Sequence, residues 1–154
     1  MTGPVFVDTN VFVYRHDRSD PSKQACAEQW IRLLARRRLG RLSFQVLQEL
    51  YATLTRTWGL NFDRSEARDI VAVLAVWRPV AVDLPTLERA WLLQESSSIS
   101  WWDALIVAAA QACECRVLLT EDLEHDQEFG AVRVVNPFAL QDRTPEEVLG
   151  DSSS

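Results

Sequence analysis

Short apolar runs, each too brief to form a helix, alternate along this chain with longer stretches whose apolar residues recur at the helical period. Pro4 to Val7, Val117 to Leu119 and Val132 to Val135 are the clearest runs, and each stops at residues that favour turns or caps: Asp8-Thr9-Asn10, Thr120-Glu121-Asp122 and Asn136-Pro137. They read as buried strands ending in polar corners. The stretches between them carry helical stripes without long linkers, so the chain is expected to be α/β, with a mostly parallel sheet of four or five strands.

The first helix is expected from Ser22 to Arg38, where Ala25, Cys26, Trp30, Leu33 and Leu34 share a face and Gly40 follows as a stop. A second places Leu47, Leu50, Tyr51, Leu54 and Trp58 on one face and closes at Gly59; a third runs from Arg64 to Trp77. Pro85 opens a fourth to about Gln94, and Ser100 caps a fifth to about Glu114. Leu42 to Phe44 and Pro79 to Val82 are further short apolar runs. The 154 residues fit one domain, expected over 1–140, followed by a partly disordered tail over 141–154.

Composition removes several classes of function. With 22 acidic against 16 basic residues the formal charge is -6, which opposes a protein that holds nucleic acid by net charge alone. No apolar run approaches the roughly 20 residues of a membrane span, and the start lacks the pattern of a signal peptide, so a soluble, cytoplasmic protein is expected. Cys26, Cys113 and Cys115 read as reduced thiols. Lys23 is the only lysine.

Four acids stand out. Asp8 and Asp122 follow strand ends, where open parallel sheets bind their ligands. Asp103 sits in Trp101-Trp102-Asp103-Ala104-Leu105-Ile106-Val107, a helix apolar nearly all round, with no Arg or Lys between Arg89 and Arg116. A buried, unpaired carboxylate there needs compensation, although Ser100 to Asp103 also fits a capping box. Glu49 lies just beyond the apolar stripe of the second helix. Two unit charges about 4 Å apart repel by around 4 kcal/mol at an effective dielectric of 20, so converging acids call for a cation. All-oxygen ligands favour Mg2+ or Mn2+. His16 and His125 are far apart in sequence and Cys113-x-Cys115 lacks a second pair, which disfavours zinc.

Taken together, Val5-Phe6-Val7-Asp8-Thr9-Asn10, Gln48-Glu49-Leu50, Ser100-Trp101-Trp102-Asp103-Ala104 and Leu119-Thr120-Glu121-Asp122-Leu123 resemble the PIN-domain nucleases, most closely the VapC-type toxins of bacterial toxin-antitoxin modules. The resemblance runs from about Val5 to Phe138. It implies a three-layer α/β/α fold, hydrolysis of RNA phosphodiester bonds with Mg2+ or Mn2+, a homodimer and an antitoxin partner. It also implies that Asp8, Glu49, Asp103 and Asp122 form the acidic metal site, with Thr9 or Asn10, and Thr120, orienting them. Glu121 stands beside Asp122 as an alternative or a support, and Glu124 and Asp126 lie close behind.

Arg15, just after the Asp8 corner, is the expected substrate contact. Arg36, Arg37, Arg38 and Arg41 read as a solvated helix end, and the tryptophans mainly as packing residues, with Trp101 and Trp102 open because they adjoin the acids. A phospho-accepting receiver domain needs a lysine at a late strand end, and Lys23 lies in the first helix. An Asp-x-Asp phosphatase is opposed by Asp8-Thr9-Asn10. The remaining alternative is a catalytically silent PIN-like module that binds RNA or an antitoxin.

Overall fold

The computed structural model describes residues 3–56 and 59–151. Five strands form one sheet: β1 (Val5–Val7), β2 (Gly40–Arg41), β3 (Val117–Leu119), β4 (Glu128–Phe129) and β5 (Val132–Val135), in the order β2-β1-β3-β5-β4. Every pairing is parallel except β4 with β5. Val5, Phe6 and Val7 are all fully buried. Successive strand residues point to opposite faces, so both faces of the sheet are covered and the architecture is three-layered.

The helices are α1 (Thr9–Arg15), α2 (Pro21–Arg37), α3 (Phe44–Thr55), α4 (Arg64–Val73), α5 (Leu84–Ser96), α6 (Trp101–Ala112) and α7 (Pro145–Asp151). Of these, α1 packs on α2 and α3, while α6 pairs with α5 and reaches β3 and β5. None of the described helices is long and apolar enough to cross a membrane. Cys26, Cys113 and Cys115 are free thiols, and burial pushes Cys26 up to about 11.

Several expectations change. The polar corner after β1 continues at once into α1, whose Val11 and Phe12 are buried. The third helix stops at Val73 and finishes as a 3-10 turn, Leu74–Trp77. Pro79 to Val82 supplies only an isolated bridge between Ser43 and Val80. The segment expected as a tail carries α7, which packs on α2 and buries Val148 and Leu149; Ser152 to Ser154 and Trp58 lie outside the described residues.

Gly40 does not end α2; Arg38 does, in the left-handed conformation (φ 56°). Gly40 instead lies under the Trp77 ring, where an added Cβ would stand 2.3 Å from a ring carbon. Trp77 also meets Phe12 edge-on at 5.5 Å, so it cannot retreat without disturbing the core. Gly40→Ala is therefore expected to cost about 2 kcal/mol, a drop on the order of 5 °C in a thermal melt.

The sheet sets up the site. Val7 pairs with Leu119, so the chains leaving β1 and β3 emerge side by side, and Asp8 donates its backbone N-H to Leu119 O at 3.0 Å.

Candidate functional site

Asp8 caps α1 and is 4% exposed. Its Oδ1 accepts the Thr9 N-H at 2.7 Å and its Oδ2 accepts the Thr120 hydroxyl at 2.8 Å. Burial pushes its pKa up to about 7, against the downward pull of those bonds, and repulsion from Asp122 and Glu49 adds to the rise. Thr120, fully buried, also accepts from Asn10 Nδ2 at 3.1 Å and from the Asp122 N-H at 3.1 Å. Asn10 Nδ2 further reaches Asp122 Oδ2 at 3.2 Å and, at a long 3.4 Å, Asp8 Oδ2. The expected orienting roles of Asn10 and Thr120 thus correspond to real bonds between the β1 and β3 ends.

Glu49 comes from α3, whose start is capped by the Ser43 hydroxyl. Its Oε2 accepts the Thr9 hydroxyl at 2.7 Å and its Oε1 accepts Gln45 Nε2 at 2.9 Å. Asp103 lies in the first turn of α6, half-buried, with its N-H donating to the Ser100 hydroxyl at 3.1 Å. Burial raises its pKa, a side-chain bond between its carboxylate and Ser100 works downward, and repulsion from Asp122 and Glu49 raises it further. A place in the capped first turn and a place in the groove therefore coexist in one residue. The four carboxylates, from four different elements, line a single groove of about 690 Å³ together with Thr9, Asn10, Tyr14, Gln45, Arg56 and Trp102.

The neighbouring acids sort themselves by their partners. Glu121 lines the groove beside Asp122, and its Oε2 holds Lys23 Nζ at 2.9 Å as half of an ion pair. That bond, followed by one to the Tyr14 hydroxyl at 3.2 Å, lifts the Lys23 pKa above its ordinary value; the ammonium also sits 4.4 Å from the centre of the Tyr14 ring. Asp126 pairs with Arg133 at 2.7 Å, and neither it nor Glu124 lines the groove. Asp122 lines the groove with Asp8, Glu49 and Asp103.

Arg15 is corrected. Its Nε bonds Glu28 Oε2 on α2 at 2.6 Å, and it does not line the groove. At 100° per residue Tyr14 falls about 40° from Asn10 around α1, whereas Arg15 falls about 140° away. Arg56, from the end of α3, lines the groove instead. Arg36, Arg37 and Arg38 lie outside it at the end of α2 and Arg41 outside it in β2, and Arg36 reaches Glu146 on α7 at 3.7 Å. The two adjoining tryptophans diverge: Trp101 stacks on Trp91 at 6.3 Å, while Trp102 is 63% exposed at the groove. Gln45 is the member that sequence reasoning missed, although its position four residues before Glu49 already puts both on one helix face.

The residues suit a hard divalent cation. The groove brings together four carboxylates with hydroxyl and amide side chains, all of them oxygen-bearing, and the described buried side-chain acceptors without a partner are Asn10 Oδ1 and Gln45 Oε1, both on groove residues. Among the described residues no three His, Cys, Asp or Glu side chains close into a finished cage.

A family model described as the PIN domain matches residues 5–127. No curated protein sequence matches significantly. Among solved structures, the chain is similar to Mycobacterium tuberculosis VapC20, described as a sarcin-ricin loop cleaving toxin, with a TM-score of 0.57 and 22% identity, covering 74% of this chain and 86% of that one. It is also similar to VapBC2 from Rickettsia felis, solved bound to a DNA fragment from its promoter, with a TM-score of 0.59 and 17% identity, covering 86% of this chain and 97% of that one. The four acid-bearing positions all fall within the matched span, on a fold shared with those structures, and the chain belongs to the PIN domain family.

Proposed function

We propose that this protein is an Mg2+- or Mn2+-dependent endoribonuclease, the toxin of a toxin-antitoxin pair, working in the cytoplasm. The observation that carries the reading is the groove itself: Asp8, Glu49, Asp103 and Asp122 converge on it from different parts of the chain, and Asp8 and Asp103 are pushed towards protonation, mainly by burial and further by repulsion from the neighbouring acids. These four side chains would hold the ion. When bound, the ion supplies an activated water and neutralises charge on the phosphodiester. Thr9, Thr120 and Asn10 fix the carboxylates by the bonds described, so little reorganisation remains to be done when RNA arrives.

With the acidic floor reserved for the ion, a substrate phosphate needs a cation at the wall. Arg56 is the arginine among the described groove-lining residues, and a guanidinium matches phosphate geometry. Arg56→Ala is expected to raise KM about tenfold, while Arg15→Ala stays within about twofold, as cleavage assays on one RNA would read. An antitoxin is the expected protein partner, which the VapBC2 likeness supports, and the acidic charge of the groove suits a basic side chain from it. A homodimer belongs to the same reading, supported by the exposed apolar side chains Leu84, Trp91 and Leu92.

The test is to sequence the 5′ ends of cellular RNAs after brief induction. New ends that appear with the wild type and not with Asp103→Asn are expected. No new ends with the wild type would contradict the reading.

A further inference from the structure

Among the described residues, Asn10 Oδ1 and Gln45 Oε1 are the buried side-chain oxygens without a hydrogen-bond partner, and both amides line the carboxylate groove. In each, the NH2 end is committed. Asn10 Nδ2 spans Thr120, Asp122 and Asp8, and Gln45 Nε2 spans Glu49 Oε1 at 2.9 Å and the Trp102 carbonyl at 3.3 Å. Turning the Gln45 amide over would set its oxygen against a carboxylate and a carbonyl, so the orientation is forced and the unpaired acceptor is what remains. Gln45 is only 6% exposed, and an unpaired acceptor at that depth opposes folding. A residue held in a conformation that weakens the fold is serving another purpose.

We infer that Gln45 is a positioning residue for Glu49, an inference that rests on the metallonuclease reading. Glu49 is held at both oxygens, by Thr9 on one and Gln45 on the other, so its carboxylate is fixed in rotation as well as in place. The second Gln45 bond goes to Trp102, the residue before Asp103, so one amide ties the α3 acid to the α6 turn that carries another. The residue type matters. A lysine here would neutralise Glu49 and a glutamate would repel it, whereas a neutral amide orients the carboxylate and leaves its charge for a cation.

Gln45→Met in the full chain separates positioning from structure. Methionine keeps the approximate length and removes the orphaned oxygen, while the Trp102 carbonyl keeps its place in the α6 ladder. The melting temperature is expected to hold or rise. The affinity for Mn2+ alone, titrated without RNA, is expected to fall about tenfold. In a Glu49→Gln background the same substitution is expected to change that affinity by less than about twofold, since it acts through Glu49. An equal loss in both backgrounds, or no loss in the single variant, overturns the inference.

A second measurement needs no metal. In metal-free protein the Gln45 side-chain NH2 protons are expected to exchange slowly in the wild type and rapidly in Glu49→Ala; rapid exchange in the wild type overturns the inference. A protein that shows this protection and the Gln45-dependent Mn2+ affinity, yet cuts no RNA, contradicts the nuclease reading alone. A metal-dependent nuclease indifferent to Gln45→Met contradicts the positioning role alone.

Discussion

Asp8→Asn is expected to lower RNA cleavage by about 10³-fold, on the order of 4 kcal/mol of barrier, and at the same time to make the metal-free protein more stable at pH 8. Both effects follow from one environment. Asp8 is the deepest of the four acids, bridged to Thr9 and Thr120 and facing Asp122 and Glu49. A metal ligand at that point needs its charge, and asparagine has none. Without metal the same charge is a liability: burial lifts the pKa from 3.8 to about 7. A shift of about three units corresponds to at most about 4 kcal/mol of strain in the ionised form. Asparagine keeps an oxygen for the Thr9 N-H and removes the charge. Part of the strain is recovered, about 2 kcal/mol or on the order of 5 °C, as melts in chelator would show. A variant that loses both activity and stability would mean that Asp8 acts chiefly as a cap for α1.

The second large effect is a pH dependence whose sign reverses with metal. For Asp8 the folded-state pKa of about 7 lies above the unfolded value of 3.8, so the folded protein retains a proton that the unfolded chain releases. The stability this confers is full below about pH 4 and is lost as pH rises through about 7. Asp103 is shifted in the same direction. Glu28 behaves oppositely: burial works upward, but pairing with Arg15 outweighs it and lowers the pKa, so its contribution is lost only in acid, below about its unfolded value of 4.5.

Between pH 5 and 7.5 the metal-free melting temperature is therefore expected to fall, and in Asp8→Asn the fall is expected to be much shallower. Saturating Mn2+ binds the ionised form and is expected to turn the trend upward over the same range. Melts at several pH values, with chelator and with Mn2+, read both slopes. A falling slope that Mn2+ leaves unchanged would place the cation somewhere other than these acids.

The acids that line the groove stand out in the sequence more clearly than the short elements that carry them. Asp8 and Asp122 mark strand ends, and Asp103 is conspicuous because its helix offers no basic neighbour, so each carries a local signal that survives folding. Glu49 carries no such signal and is recovered only by the constellation. Arg15 falls outside the groove because closeness in sequence is not closeness on a helix: the groove takes the face bearing Asn10 and Tyr14, and Arg15 meets Glu28. Lys23 and Glu121 are 98 positions apart, and nothing local foretells their pairing.

The short elements fail for the same reason. β2 and β4 are two residues each and exist because a neighbouring strand supplies the hydrogen bonds, not because their own pattern demands a strand. Helix α1 is seven residues long and begins directly at its aspartate cap, too short for a period to emerge, and α7 is fixed by Val148 and Leu149 meeting the body of the protein.

The most direct test is cleavage of a structured RNA by purified protein, stripped with chelator and then titrated with Mg2+ or Mn2+, beside Asp8→Asn prepared in the same way. No cleavage in chelator, recovery on adding either ion, and no recovery in the variant are the results expected. Cleavage that persists in chelator, equal cleavage by the variant, or a wild-type protein that cuts nothing at any metal concentration would contradict the assignment of this acidic groove as a metal-dependent RNA-cleaving centre.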